Sequence, residues 1–153
     1  TVSLWIEREL AQRVLKDHAQ AYLVEAHPSV VECLVGEDGV NIEMLEHSLE
    51  CALFTRARPD LGIEEYRITP GTLEQFKQKY LPYRQLQVVE CRVVPSAVDE
   101  ESKVGWTEDG YLILWEDQPP TQPHSKVMLN EVRRSFAFAE PVGAGKLKKS
   151  EVV

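Results

Sequence analysis

Residues 19–55 read AQAYLVEAHPSVVECLVGEDGVNIEMLEHSLECALFT. Five segments follow one another in this stretch. Residues 19–26 are short and apolar, with Tyr22, Leu23 and Val24 among them, which predicts a strand. Pro28 suits the first turn of a helix, since its missing N–H is not needed there, and Ser29 to Val35 continue that helix. His27, just before Pro28, is read as a contact at the helix N-terminus. Gly36-Glu37-Asp38-Gly39 then breaks the helix. Residues 40–50 place Ile42, Leu45 and Leu49 at i, i+3 and i+7, the period of a second amphipathic helix. Residues 51–55 (CALFT) predict another strand. The order is strand, helix, G-x-x-G, helix, strand.

On the N-terminal side, residues 3–16 carry Leu4, Ile6, Leu10, Val14 and Leu15 near three-to-four spacing, an amphipathic helix that Ser3 can cap. On the other side, Arg58-Pro59-Asp60-Leu61-Gly62 is turn chemistry, residues 63–69 predict a strand, and Pro70-Gly71 predicts a turn. Residues 72–80 predict a helix opened by Thr72 or Gly71. Leu81-Pro82-Tyr83 reads as a boundary, and the pattern beyond it changes. Strands are expected at 86–94, 103–107, 111–115, 126–131 and 133–139, with Asp109-Gly110 marking a hairpin. Five strands in about 55 residues suggest a small Greek-key barrel such as an OB-fold. Residues 1–82 are therefore expected to form one domain, residues 83–140 a second, and residues 141–153 a Gly- and Lys-rich flexible tail. The expected class is α+β.

Composition limits the function classes. The chain has 153 residues, of which 43% are apolar and 27% charged, so it is no disordered tract. The net charge is −8. Residues 1–69 carry 13 acidic and 6 basic side chains, and residues 70–153 carry 12 and 11. A nucleic-acid binder usually shows a basic face, so the first half suits phosphates poorly. Cys33, Cys51 and Cys91 are odd in number and widely spaced, which argues against a disulfide framework or a zinc site. They are expected as small core residues in a reducing cytoplasm. No apolar run reaches the length of a membrane span. The opening Thr1-Val2-Ser3-Leu4-Trp5 shows no signal-peptide pattern and, lacking Met, reads as the start of a fragment or a processed chain. P-loop, H-E-x-x-H and G-x-S-x-G motifs are missing, and His18, His27, His47 and His124 show no metal-ligand spacing, so neither cofactor nor metal is expected.

The run over residues 19–56 resembles a KH unit, in which a G-x-x-G loop clamps the backbone of single-stranded nucleic acid. The element order suits a type I arrangement. The stretch from His27 to Glu46 (HPSVVECLVGEDGVNIEMLE), the helix before it and Pro59-Asp60-Leu61-Gly62-Ile63-Glu64-Glu65-Tyr66-Arg67-Ile68 together resemble the C-terminal region of bacterial ribonuclease E/G-type proteins. In that family a TRAM-like OB barrel follows. Lys103-Val104-Gly105-Trp106 with Asp109-Gly110-Tyr111, and then residues 127–139, are similar to its strand signals. The resemblance covers most of residues 1–140. The family's catalytic half, with its metal-binding acids and zinc-linking cysteines, has no counterpart here, so cleavage is not implied. The loop also departs from the pattern, because Glu37 and Asp38 stand where a phosphate backbone would pass. Each carboxylate at 4–6 Å from a phosphate costs about 1 kcal/mol even in water-like dielectric. The KH groove is thus expected to be weakened.

Two readings result. In the first, the chain is a non-catalytic RNA-binding module. Gly36 and Gly39 shape the loop, Asn41 orients it or caps the following helix, and the barrel supplies an aromatic platform with a basic edge. That platform consists of Arg92, Lys103, Trp106, Tyr111, Lys126, Arg133 and Arg134, with Trp115, Phe136 and Phe138 nearby. Its partner is single-stranded RNA. In the second reading, the chain is a protein-interaction or structural subunit built on a degenerate KH–OB pair. It is supported by the negative charge, by GEDG, and by a strand, 111–115, that is apolar on both faces and so has one face to offer a partner.

Overall fold

The computed structural model describes residues 1–142. The elements are α1 (Val2–Asp17), β1 (Ala21–Ala26), α2 (Pro28–Val35), a short 3-10 turn (Glu37–Gly39), α3 (Val40–Leu49), β2 (Ala52–Ala57), β3 (Tyr66–Gly71) and α4 (Leu73–Tyr80). They continue with β4 (Val88–Pro95), β5 (Lys103–Trp106), β6 (Leu112–Trp115), β7 (His124–Val132) and β8 (Phe136–Pro141). The class is α+β.

The first three strands form a sheet in the order β2-β1-β3, with β1 parallel to β2 and antiparallel to β3. A central strand covered on both faces is apolar on both faces, and β1 is buried at every position but Glu25. Alternation divides β1 between two layers. Tyr22, Val24 and Ala26 face α1 and α2, while Ala21 and Leu23 face α4 through Phe76. Phe76 meets Phe54 of β2 edge-on, with centroids 5.8 Å apart. On α1, Val2, Ile6 and Leu10 are the buried stripe.

Local chemistry sets most boundaries. His27 caps α2 by accepting from Ser29 N at 3.2 Å, and Pro28 follows in the first turn. Thr72 caps α4 by accepting from Gln75 N at 3.2 Å. Three expectations need correction. Thr1, not Ser3, stands at the N-cap of α1; Ser3 is buried, with its Oγ 3.5 Å from Cys33 Sγ. Pro70 and Gly71 belong to β3, where an edge strand tolerates proline because its outer N–H needs no ladder partner. Cys33 is exposed rather than in the core, whereas Cys91 is buried and Cys51 half-buried.

The last five strands close a barrel in the order β4-β5-β6-β8-β7, with β7 returning to β4. All pairs are antiparallel except β6 with β8. The Asp109-Gly110 turn joins β5 to β6 as the dipeptide predicts. Gly110 has φ +88, and a Cβ there would lie 2.3 Å from the Ala57 carbonyl oxygen. This turn therefore touches the end of β2, where Ala57 N donates to Gly110 O at 2.9 Å. Residues 143–153 of the expected tail, with Lys146, Lys148 and Lys149, lie outside the described residues, and Pro141 ends β8.

One apolar cluster runs through the α/β layer into the barrel wall. It joins Ile6, Leu10, Val31, Leu34 and Ile42 to Val104, Trp106, Leu112 and Phe136. A second cluster fills the barrel interior with Tyr111, Ile113, Val127, Leu129, Ala137 and Ala139. Strand β6 lies between the two. Its second apolar face, expected as a partner surface, is covered by the protein's own helical layer through Leu112 and Leu114.

Candidate nucleic-acid interface

The G-x-x-G loop leaves α2 at Gly36 (φ 79) and enters α3 at Gly39 (φ 76), with Asp38 left-handed between them (φ 53). Left-handed backbone favours glycine, because a Cβ meets the neighbouring carbonyl there. At Gly39 space demands glycine as well: a Cβ would lie 2.0 Å from Phe136 Cζ. The loop is thus seated against the barrel. Glu37 and Asp38 remain exposed at its tip.

Asn41 lies beside this loop. Its amide donates to the Leu34 carbonyl at 2.8 Å and reaches Glu7 Oε2 at 3.4 Å. It therefore satisfies a free carbonyl at the C-terminus of α2 and ties α1 to α3. The N-cap of α3 is Gly39, with no side-chain hydrogen bond, so Asn41 does not cap that helix.

The expected aromatic platform is not present as such. Trp106 is 7% exposed and Tyr111 is fully buried. The Tyr111 hydroxyl lies 2.6 Å from both the Arg133 and Phe136 carbonyl oxygens, which share its one proton, and its ring stacks on Tyr83 with centroids 4.5 Å apart. A ring closed in on both faces cannot stack on a base.

The basic edge divides in two. Arg133 pairs with Glu43 of α3 and Glu131 of β7, and Arg134 pairs with Glu46 at 2.6 Å. Glu46 also accepts from Leu53 N at 2.8 Å. These arginines bridge the barrel and α3 instead of facing solvent unopposed. Arg92, Lys103 and Lys126 are exposed and make no ion pair with a described residue. Arg92 and Lys126 share the outer face of the β4–β7 ladder, where Arg92 lies opposite His124 and Glu90 opposite Lys126.

Arg56, not singled out from sequence, is the most enclosed charge, with a side chain only 1% exposed. Its guanidinium donates to the carbonyls of Thr55 and Tyr80, pairs with Asp109 at 3.3 Å, and lies 5.1 Å from the Tyr111 ring centroid and 5.6 Å from that of Tyr80. Burial lowers its pKa, opposed by the Asp109 charge. Asp109 also accepts from Tyr83 Oη at 2.6 Å and from Thr107. Burial pushes its carboxyl up, but hydrogen bonds from Thr107 and Tyr83 and the Arg56 charge outweigh this and leave the pKa lowered. The signal in the sequence was an arginine inside an otherwise uncharged stretch, residues 51–57 (CALFTRA). A charge there is buried with partners or terminates the strand.

Glu32 of α2 is likewise buried and accepts from Ser96 Oγ and, at 2.9 Å, from Ala97 N. It anchors the β4–β5 loop to the helical layer. Beside it a cleft of about 620 Å³ opens between the GEDG loop, the β4–β5 loop and the end of β6. Glu37, Asp38, Asp99, Glu101 and Asp117 line it, with Lys103 the one lining base. No group of three or more His, Cys, Asp or Glu side chains among the described residues is arranged to hold a metal ion. No helix among them is long and apolar enough to cross a membrane.

No family model matches this chain, and no curated protein does.

Proposed function

We propose that this chain is the non-catalytic, KH-like and OB/TRAM-like region of a ribonuclease E/G-type protein, and that it contacts single-stranded RNA through the outer β4–β7 face of its barrel. The barrel's strand order supports an OB-like reading. Numbered within the barrel, the strands neighbour one another as first, second, third, fifth and fourth, and the fourth closes on the first. OB barrels bind oligonucleotides over their second and third strands. Here that surface, carrying Trp106 and Leu112, is packed against the helical layer, and the G-x-x-G loop is seated on Phe136. The β5–β6 surface is thus closed, and the G-x-x-G loop, held at Gly39, presents Glu37 and Asp38 at its exposed tip. The observation that carries the proposal is what remains open: Arg92, His124 and Lys126 side by side on two adjacent strands, with Arg92 and Lys126 in no ion pair with a described residue.

The test is fluorescence anisotropy with a single-stranded RNA of about 15 nucleotides, at about 50 and 200 mM salt. Wild type should bind more weakly at the higher salt. Arg92→Ala/Lys126→Ala should weaken binding and reduce the salt slope by about 1.4, as expected for two lost phosphate contacts on a single strand. Unchanged affinity in the double variant, or no saturable binding by wild type, overturns the assignment.

A protein-interaction role is favoured by the acidic cleft, which repels a phosphate chain and suits a lysine-rich segment. Salt-sensitive binding of an oligolysine peptide, weakened in Asp99→Asn/Asp117→Asn, would support it. RNA binding without peptide binding would remove it.

A further inference from the structure

A second cleft, of about 420 Å³, lies between α3, the C-terminal half of α4 and the turn joining β7 to β8. Its charged lining is Lys77, Arg133, Arg134, Glu43 and Glu46. Of the four clefts described, this one has the cation surplus, in a chain whose net charge is −8. The three cations differ in how far they are engaged. Arg133 is bound at both ends of its fork, to Glu43 through Nη1 and to Glu131 through Nε and Nη2. Arg134 uses only Nε, toward Glu46, which leaves its two terminal nitrogens without a described partner. Lys77 makes no ion pair with a described residue, and its side chain is exposed on α4.

We infer that this cleft is a binding site for a phosphate group, held between the Lys77 ammonium and the terminal nitrogens of Arg134. An arginine whose outer edge is free offers two parallel N–H donors that match two phosphate oxygens, and an ammonium adds a point charge from the other side. Glu46 fixes Arg134 from behind through Nε and is itself held by the Leu53 N–H, so the fork is already oriented before a ligand arrives. Glu43 is engaged by Arg133, which lessens its repulsion of an incoming anion. The site does not depend on the β4–β7 face. The phosphate has two possible sources, a nucleic-acid chain or a free phosphate compound.

The test is calorimetric titration of the full chain with inorganic pyrophosphate. Wild type should bind saturably. Lys77→Gln and Arg134→Gln should each weaken binding by about tenfold or more, and Lys16→Gln, at an exposed lysine of α1 remote from both proposed surfaces, should not change it. Lys77 lies on an exposed helix face, so its variant tests the site even if Arg134→Gln perturbs folding. Addition of a single-stranded RNA of about 15 nucleotides then separates the sources. Displacement of pyrophosphate places a chain phosphate in the cleft, and unaltered pyrophosphate binding assigns the cleft to free phosphate compounds. No saturable binding by wild type, or equal affinity in Lys77→Gln, overturns the inference.

Discussion

The ring of Phe136 occupies the place where a side chain on Gly39 would begin: a Cβ at Gly39 would lie 2.0 Å from Phe136 Cζ. The two residues stand 97 positions apart, one in a loop between helices and the other at the start of the last barrel strand. Their contact sets how the helical layer sits on the barrel. Gly39→Ala combines left-handed backbone with overpacking against a buried ring. The expected loss is about 2–4 kcal/mol, measured by urea denaturation. Gly39→Ala/Phe136→Leu should recover part of that loss relative to the sum of the two single variants, because the smaller side chain makes room. Strict additivity would mean that the clash is relieved elsewhere.

Arg56 and Asp109 carry a second long-range tie, between β2 and the β5–β6 turn. Arg56 is buried whereas the Asp109 side chain is 45% exposed, so loss of the guanidinium falls mainly on the carbonyls it holds. Arg56→Ala should cost about 2–5 kcal/mol, since it removes a fully buried side chain and strands the carbonyls of Thr55 and Tyr80. Arg56→Met, which keeps the packing between the tyrosine rings, should cost less. Chemical denaturation of the two variants checks the order.

The same pair sets part of the acid response. The folded pKa of Asp109 is lowered, so its contribution to stability is complete above the unfolded value, about 3.9, and is lost as pH falls through the folded one. Acid unfolding followed by circular dichroism should therefore be less steep in that range for Asp109→Asn than for wild type. Superimposable acid limbs would remove Asp109 from the account.

Tyr83 gives the opposite limb. Burial, with a hydrogen bond to Asp109, raises its phenol to about 12. A folded pKa above the unfolded one, about 10, favours the protonated form, so this stabilisation is complete below pH about 10 and is lost as pH rises toward 12. Tyr111 is raised too, chiefly by burial. Burial raises Tyr22 and Tyr66 as well, so absorbance titration at alkaline pH should show four tyrosines ionising late. Tyr83→Phe should remove one of them.

Arg133 and Glu43 have side chains 40% and 42% exposed, so their pair is solvent-screened. Arg133→Ala should lower stability by less than about 1 kcal/mol. A double-mutant cycle with Glu43→Ala should show a small coupling at low salt that fades near 1 M. A large, salt-insensitive coupling would instead mean a buried bridge.

Much of this architecture was legible in the residues. Apolar periodicity placed the helices, Pro28 and Thr72 set two helix starts, the short apolar run of residues 19–26 marked a strand, and Asp109-Gly110 marked a hairpin. All of these are effects between near neighbours, which a linear reading captures. The barrel's closure through β4 and β7 and the parallel pairing of β6 with β8 depend on strands brought together from far apart.

Periodicity reports that a face is apolar, not what covers it. The second face of 111–115 was therefore open to a partner on paper, and in the structure the protein's own helices fill it. Charge shows the same limit. Arg133 looks like a ligand for phosphate until Glu43, 90 positions earlier, and Glu131 are found to occupy both ends of its fork. Trp106 and Tyr111 look like stacking residues until both prove to be buried. Composition and local pattern settled the element types and the helix starts at Pro28 and Thr72, because propensity and capping act over a few residues. Tertiary packing alone decided which aromatics, glycines and arginines stay available, because burial and ion pairing depend on distances in space rather than along the chain.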